Sequence, residues 1–397
     1  MPAKSTTSHY DLSLDYSTEM TETCLKIQKN HDDVYKYTIK GNLVAIITNG
    51  TAVHGLGNLG ALASKPAMES KAMLLKKYAG IDAFDIELNT TDIDVFIRTV
   101  ITMSPTFGAI NLEAIKAPDC FEIEQRLIDA LDIPLMHDDQ HGTAVVSAAG
   151  LLNACEIAGK SIQDIKVVVS GTGAAAIACA EMYLSLGLKK ENLIMLDSKG
   201  IISQNRIDLD KYEKPFAINT HLSTLEQGLP GADAFVELSM EFTITPKMVE
   251  SMADHPIIFA LADPNPELTY TDAIKAKYGI IMATGKADLP NQISSLLGFP
   301  YIFRAALDVR ATKINTEMKK AAVYALASLA KEVSKDAVAF HRPVFGRDYF
   351  IPKPSDPRLI SAVTPAVAKA AIESGVAGVV INDWKSYLIE LDKHTII

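Results

Sequence analysis

The chain has 397 residues, of which 48% are hydrophobic and 22% are charged, proportions that are ordinary for a globular protein of about two or three domains. Its formal net charge of −10 excludes proteins that bind nucleic acid through a basic face, because phosphate recognition needs excess Lys and Arg. The sequence has no hydrophobic signal core and no run of about eighteen apolar residues. Four cysteines without C-x-x-C spacing indicate mostly buried, reduced thiols, and we therefore expect a cytoplasmic protein.

The first part of the chain predicts alternating short strands and helices. Residues 1–40 are polar and predict short helical pieces. Further on, turn signals such as Asn49-Gly50 and Ala79-Gly80 separate apolar runs of different period. The predicted elements are strands at Leu43–Thr48 and Phe84–Leu88, and helices at Lys65–Tyr78, Asp92–Met103 and Thr143–Ala158. The last of these is uncharged until Glu156 and predicts a buried helix, so a domain boundary is expected directly after Ala158.

Beyond this boundary, apolar runs alternate regularly with helical stretches. Strands are predicted at Lys166–Ser170, Leu193–Asp197, Ala234–Leu238, Ile257–Leu261 and Ile280–Thr284. Helices are predicted at Ala174–Leu186, Ala311–Val333, Pro365–Glu373 and Trp384–Leu391. Such alternation is typical of βαβ units and a doubly wound parallel sheet. We therefore predict an α/β protein with a small N-terminal domain (1–158) and a Rossmann-like domain with closing C-terminal helices (159–397).

A glycine-rich turn follows the first strand of the second domain. It contains Gly171, Gly173, Ala174, Ala175 and Ala176. Gly171 allows a tight turn, Gly173 lets the backbone approach a pyrophosphate, and Ala176 permits close packing of helix on strand. Asp197 ends the next strand, where a carboxylate binds the adenine-ribose 2′-hydroxyl, and this favours NAD. Lys199 could bind the 2′-phosphate of NADP, so NADP remains possible. For the glycine motif itself, the alternative interpretation is a tight turn that binds no ligand.

A second polar segment, His137-Asp-Asp-Gln-His-Gly-Thr143, precedes the buried helix. Asp138 and Asp139 are adjacent, and Glu113 ends a short apolar run. Oxygen ligands of this kind suit Mg²⁺ or Mn²⁺. The histidines alone do not indicate zinc, because no cysteine or His-x₃-His partner accompanies them. The two aspartates are also compatible with a simple cap of the following helix, so the metal reading and the capping reading both remain open.

Several longer motifs resemble the bacterial, short-chain malic enzymes. The resemblance extends in order from about residue 10 to residue 385. It includes Gly50-Thr-Ala-Val-His-Gly-Leu-Gly-Asn-Leu-Gly60, Pro118-Asp-Cys-Phe-Glu-Ile-Glu124, the segment His137–Thr143, and Gly298-Phe-Pro-Tyr-Ile-Phe-Arg304. It implies a symmetric homodimer and oxidation of malate by NAD(P), followed by decarboxylation to pyruvate with the help of a divalent metal.

The resemblance also implies roles for individual residues. Lys71 matches the family's catalytic base and Tyr16 its acid, and a lysine with a lowered pKa would suit the first role. Without the resemblance to this family, the sequence would predict that Lys71 is a solvated lysine on a helix and that Tyr16 is a half-buried aromatic residue. The metal ligands implied are Glu113 and Asp139, with Asp138 beside them in the proton network. Asp263 and Asn291 match positions near the coenzyme.

Departures from the family pattern concentrate at these expected contact positions. The family has an acidic residue directly after the position of Glu113, whereas this chain has Ala114. This difference removes one anionic metal ligand and should weaken metal binding. Asp263 stands where the family pattern has an asparagine, and Ser294-Ser295 stand where it has an Asn-Asn pair. The other departures are Asn49, Ser17–Thr21, Ser239–Phe242 and Gly285-Lys-Ala-Asp288.

These departures leave three hypotheses. The first is an NAD-preferring malic enzyme with a modified metal shell. The second is an oxaloacetate decarboxylase that has lost hydride transfer, although decarboxylation is the step that needs the metal most. The third is a catalytically silent relative that serves as a regulatory or assembly subunit. Retention of the glycine turn and Asp197 favours the first.

Overall fold

The structure is a computed structural model that describes residues 18–53, 55–239, 244–262, 270–332 and 344–394. The N-terminal domain is built on a four-stranded parallel sheet of strand order β2-β1-β3-β4. Its strands are β1 (Leu43–Thr48), β2 (Asp82–Glu87), β3 (Ala109–Leu112) and β4 (Leu135–His137). β1 lies in the middle of the sheet and is buried along its whole length, as its continuous apolar sequence requires.

Helices cover this sheet and connect its strands. They are α1 (Thr18–Lys29), α2 (Val34–Tyr37), α3 (Ala61–Ala79), α4 (Ile93–Met103), α5 (Asp119–Ala130) and α6 (Asp138–Ala158). α5 is not predicted from the sequence. The predicted start of α6 at Thr143 is wrong by five residues, because the polar segment before Thr143 lacks the apolar pattern of the buried helix that follows it. Asp138 and Asp139 instead form the first turn of α6, where negative side chains are favoured by the helix dipole.

The second sheet has six strands in the order β10-β9-β8-β5-β6-β7. They are β5 (Val167–Ser170), β6 (Leu193–Asp197), β7 (Gly200–Ile201), β8 (Ala234–Glu237), β9 (Ile257–Ala260) and β10 (Ile281–Thr284). All neighbours are parallel except β6 and β7. The order reverses direction at β5, which confirms the predicted doubly wound α/β architecture.

Helices of the second domain are α7 (Ala174–Ser185), α8 (Leu225–Gly228), α9 (Pro246–Ser251), α10 (Tyr270–Ala276), α11 (Phe299–Asp308), α12 (Thr316–Leu329), α13 (Leu359–Glu373) and α14 (Trp384–Asp392). The helix predicted at Ala311–Val333 therefore begins later than expected. Asn315 caps it, because its side chain accepts a hydrogen bond from Met318 N at 3.0 Å. Within the described ranges, no helix is both long enough and apolar enough to cross a membrane.

The two domains share one continuous apolar core, centred on α6. α6 packs against α7 and α12 and is buried on almost every side. Three of the cysteines, Cys120, Cys155 and Cys179, are buried free thiols, which confirms the expectation from their spacing. The aromatic-rich segment Tyr349–Ile351 is also buried within this chain.

Candidate active site

A cavity of 340 Å³ opens where the carboxyl ends of strands from both sheets converge. From the first domain it is lined by Lys71 on α3, Glu113 after β3, and Asp138 and Asp139 at the start of α6. From the second domain it is lined by residues that follow β9 and β10, namely Leu261, Ala262, Gly285, Lys286, Ser294 and Ser295. Ligands of α/β proteins bind at such strand ends, and the cavity brings together four of the site residues predicted from the sequence, Lys71, Glu113, Asp138 and Asp139.

Lys71 lies between two carboxylates inside the cavity. Its Nζ donates to Glu113 Oε1 at 3.1 Å and makes a short contact with Asp138 Oδ2. It also lies 4.1 Å from the centre of the Phe299 ring, which adds a cation–π contact. Only 11% of the Lys71 side chain is exposed. Lys71 is therefore a buried cation with specific partners rather than a solvated helix lysine.

The charges in the cavity shift one another's protonation. Burial lowers the pKa of Lys71, but the Asp138 and Glu113 carboxylates outweigh it and raise this pKa above its usual value. The expectation of a lowered pKa is therefore wrong, because the neighbours of Lys71 are anions and not cations. Burial raises the pKa of Glu113 to about 7, with Lys71 opposing and the two aspartates reinforcing the shift.

Asp139 is held by the backbone of the residue after Glu113. Its Oδ2 accepts a hydrogen bond from Ala114 N at 2.7 Å. Ala114 has a φ of 54°, in the left-handed region that alanine rarely adopts. Burial and the neighbouring Asp138 charge raise the pKa of Asp139 as well. Three carboxylates thus lie around one ammonium group, an excess of negative charge inside the cavity.

The residues present fit a divalent cation only if water and substrate supply the rest of its ligands. No group of three or more His, Cys, Asp or Glu side chains is arranged to hold a metal by itself within the part of the chain that the structure describes. Lys71 occupies the space between Glu113 and Asp138. However, Asp138 Oδ1 is buried without a hydrogen-bond partner among the described residues. Mg²⁺ commonly binds through one or two carboxylates and takes its other ligands from water and substrate, which this set can provide.

The glycine-rich turn has the predicted strand–turn–helix setting. β5 ends at Ser170, Gly171 follows with a φ of 113°, and α7 begins at Ala174. A Cβ atom on Gly173 would meet no atom within 4 Å, so open space lies in front of this backbone. Ala176 is 1% exposed, as close helix packing requires. Backbone N–H groups at the start of α7 are suited to bind a pyrophosphate.

Asp197 ends β6 as predicted, but its carboxylate is engaged by a residue that the sequence analysis missed. Arg206 Nη1 and Nη2 donate to Asp197 Oδ1 and Oδ2, respectively, each at 2.6 Å. Arg206 also contacts Asp208, which in turn pairs with Lys199 at 2.7 Å. A ribose-binding carboxylate with a guanidinium beside it is the arrangement that can serve either NAD or NADP.

Other predicted site residues fall elsewhere. Asn291 is buried, and its amide group is fully occupied by the backbone of Met282, Arg347 and Phe350. This placement gives Asn291 a structural role and does not support coenzyme contact. Ser294 and Ser295 do line the cavity, whereas Asn49 forms a turn by accepting hydrogen bonds from Thr51. Tyr16 and Asp263 lie outside the described residues.

Comparison with known proteins places the chain in a family. Residues 1–128 match the family model of the malic enzyme N-terminal domain, and residues 140–344 that of the malic enzyme NAD binding domain. An NADP-dependent malic enzyme of Haemophilus influenzae is 52% identical over 98% of this chain, and an NAD-dependent malic enzyme of Rhizobium meliloti is 47% identical over 99%. The chain spans about half the length of these curated relatives (52% of each).

A solved structure shows the same fold over the whole chain. The malic enzyme from Pyrococcus horikoshii has a TM-score of 0.90 and 38% sequence identity, and the match covers 100% of this chain and 90% of that one. The identities and the two matched domains agree with the motifs found in the sequence. The chain therefore belongs to the malic enzyme family.

Proposed function

We propose that the protein catalyses oxidative decarboxylation of malate to pyruvate and CO₂, with reduction of NAD(P). The observation that carries this proposal is the buried Lys71, which lies between Glu113 and Asp138. The cavity that contains it is also lined by residues of the second, Rossmann-like domain. Family membership supports the same reaction, because the relatives named above are malic enzymes. Since those relatives are about twice as long, the activity of the whole protein is part of the proposal.

The cavity provides groups that suit a small dicarboxylate. Lys286 lines it, and its positive charge is suited to a substrate carboxylate. Thr143, Ser294 and Ser295 add hydroxyl groups to the lining. A cationic side chain opposite several hydroxyl groups favours a carboxylate over a neutral ligand. This supports malate, whose second carboxylate needs a partner away from Lys71.

Proton transfer is assigned to Lys71, with Asp138 as its partner. At rest Lys71 is an ammonium ion, and it becomes a base for the C2 hydroxyl only after it has lost its proton to solvent; Asp138, in short contact with Nζ, would orient the amino group. NAD(P), when bound, supplies the hydride acceptor, and Mg²⁺ or Mn²⁺ supplies an electron sink for decarboxylation. Glu113 and Asp139 would hold the metal. Tyr16 remains the acid implied by the family resemblance.

The metal assignment gives a test at Ala114. Replacing Ala114 by aspartate should lower the Mn²⁺ concentration needed for half-maximal activity by about tenfold, because another anionic ligand strengthens a hard-cation site. Ala114→Asn is the control, since asparagine also tolerates the left-handed backbone but adds no charge. Mn²⁺ titrations of malate-dependent NAD(P) reduction measure both variants. Equal titration curves for wild type and Ala114→Asp would show that the metal does not bind beside residue 114.

Coenzyme choice is the finer part of the proposal. Asp197 supports the predicted preference for NAD, whereas Arg206 supports acceptance of the 2′-phosphate of NADP. Replacing Asp197 by asparagine should raise the ratio of kcat/KM for NADP to that for NAD by about tenfold, or about 1.4 kcal/mol, because it removes repulsion and frees Arg206. The control Asp164→Asn breaks an exposed pair with Lys189 and should leave the ratio unchanged. An unchanged ratio in Asp197→Asn would place the ribose elsewhere.

A homodimer and a cytoplasmic location remain predictions. Exposed apolar side chains on the N-terminal domain support the former: Leu56 is 67% exposed and Leu62 is 86% exposed. Such side chains are often covered by a second subunit. Sedimentation of the purified protein measures the state directly.

The first experiment is a product balance. Purified protein is mixed with L-malate, Mn²⁺ and either NAD or NADP, and reduced coenzyme and pyruvate are quantified together. Equal amounts of both are expected. Pyruvate from oxaloacetate without any malate-dependent coenzyme reduction would instead establish the decarboxylase. Turnover of neither substrate would establish a silent relative.

A further inference from the structure

A second cluster of buried polar side chains lies behind the cavity and takes no part in the proposed reaction. Its centre is Glu124 on α5, and only 8% of the Glu124 side chain is exposed. Glu124 Oε1 accepts a hydrogen bond from His137 N at 2.8 Å. Its Oε2 accepts from Gln140 Nε2 and His141 Nε2, each at 3.0 Å. One buried carboxylate therefore receives three hydrogen bonds from a single turn of chain.

Lys319 on α12 completes the cluster from the second domain. Its Nζ lies 3.2 Å from His141 Nδ1. Since an ammonium group only donates, Nδ1 is the acceptor, and the ring proton lies on Nε2 facing Glu124. The negative Glu124 and the positive Lys319 balance each other through the His141 ring. Displacement of this set would leave a buried charge unpaired, which favours a single arrangement of the cluster.

The three donors flank the acids of the active site in sequence. His137 precedes Asp138, and Gln140 and His141 follow Asp139. We propose that Glu124 is a positioning residue, which holds the first turn of α6 so that Asp138 and Asp139 face the cavity. This inference rests on the proposed metal-dependent function.

The acidic turn needs an external restraint for an electrostatic reason. Asp138 and Asp139 lie near Glu113 with Lys71 as their shared cation, so mutual repulsion favours rotation of the aspartates away from one another. His137, which directly precedes α6 at the N-cap position, provides no side-chain cap. Glu124 supplies what the cap does not, since it fixes a backbone N–H and two side chains of this turn from behind.

The test is Mn²⁺ binding to the purified protein without substrate or coenzyme, measured from the electron paramagnetic resonance signal of free Mn²⁺. Glu124→Gln keeps the shape of the side chain but replaces one of its two acceptor oxygens by an NH₂ group. The three hydrogen bonds that Glu124 accepts can then no longer all form. The Mn²⁺ dissociation constant of this variant should rise by about 10- to 100-fold, the effect of losing a residue that orients metal ligands. Glu122→Gln is the control, because Glu122 on the same helix makes an exposed pair with Arg126.

Kinetics separate positioning from a general structural role. In Glu124→Gln, saturating Mn²⁺ should restore kcat for malate to within about tenfold of wild type, while the Mn²⁺ requirement stays raised. If Glu124→Gln does not fold, Lys319→Met decides, and it should also weaken Mn²⁺ binding. A folded variant that binds Mn²⁺ as tightly as wild type overturns the proposal. Wild-type protein that turns over malate but binds no Mn²⁺ overturns the metal assignment itself, which is a different result.

Discussion

Replacement of Lys71 by methionine should lower kcat for malate oxidation by about 10²- to 10⁴-fold, the range typical of losing a general acid–base group. Methionine retains the length of the side chain and the packing on Phe299, so the loss reports on the amino group. NAD(P) reduction at saturating malate and Mn²⁺ measures the effect. Binding of the coenzyme should survive, because Lys71 lies on the opposite domain from the glycine turn.

The same change should also destabilise the protein. Lys71 is the ion-pair partner of Glu113 and Asp138, whose side chains are 3% and 2% exposed. Removal of one partner leaves buried carboxylates unpaired, at a cost of about 3–5 kcal/mol in the free energy of unfolding. Urea denaturation measures this loss, which should shrink at low pH, where Glu113 is protonated.

Lys76→Met is the matched control. Lys76 lies on the same helix and pairs with Asp82, but both side chains are about half exposed (49% and 47%). Its replacement should change kcat less than twofold, because exposed pairs contribute little. Activity of Lys71→Met close to that of Lys76→Met would contradict the assignment of Lys71 as the proton-transfer group.

Replacement of Gly142 by alanine should have a comparable effect without removing any functional group. A Cβ atom at Gly142 would lie 2.0 Å from Asp138 Oδ1 and 2.8 Å from Ser295 Cβ. Asp138 would have to move by more than 1 Å, and displacements of that size cost about 100-fold in rate. We therefore expect kcat/KM for malate to fall at least about 100-fold while the circular dichroism spectrum stays unchanged.

Gly150→Ala on the same helix is the control for this substitution. A Cβ atom there would approach Ile293 Cδ1 at 3.0 Å, the flexible end of an apolar side chain. It should therefore reduce stability slightly and activity by less than about tenfold. Wild-type activity in Gly142→Ala would mean that the position of Asp138 is unimportant for the reaction.

The sequence predicted the sheets better than the helix boundaries. Strands such as Val167–Ser170 and Ile257–Ala260 are short apolar runs flanked by turn residues, and this local signal suffices. The start of α6 was placed too late because its first turn is polar on the cavity side. Helix α5 was missed because its acidic positions obscured the apolar stripe that includes Cys120, Ile123 and Leu127.

The site was only partly predictable, because spacing along the chain does not report contacts across it. The three acids were singled out from the polar segment and from the apolar run that ends at Glu113, Lys71 was found through the family resemblance, and the structure brings them together. The pKa direction of Lys71 was wrong, since it depends on neighbours 42 and 67 residues away. Arg206 and Glu124 were missed for the same reason. Each is an ordinary surface-type residue in sequence, and its role follows from partners on other elements.

One long helix determines how the two halves of the site move together. Asp138 and Asp139, the acids proposed to act at the metal site, are the first residues of α6, and the glycine-rich turn proposed to bind the coenzyme precedes α7, which packs along α6. A hinge at Gly159 would move α7 relative to α6, so the packing between these two helices opposes it. Other motions that change the separation of the two sites must slide α6 past α7, and interdigitated side chains restrict such shear to small steps. The separation of the acidic cluster from the glycine-rich turn is thus governed by core packing rather than by loops.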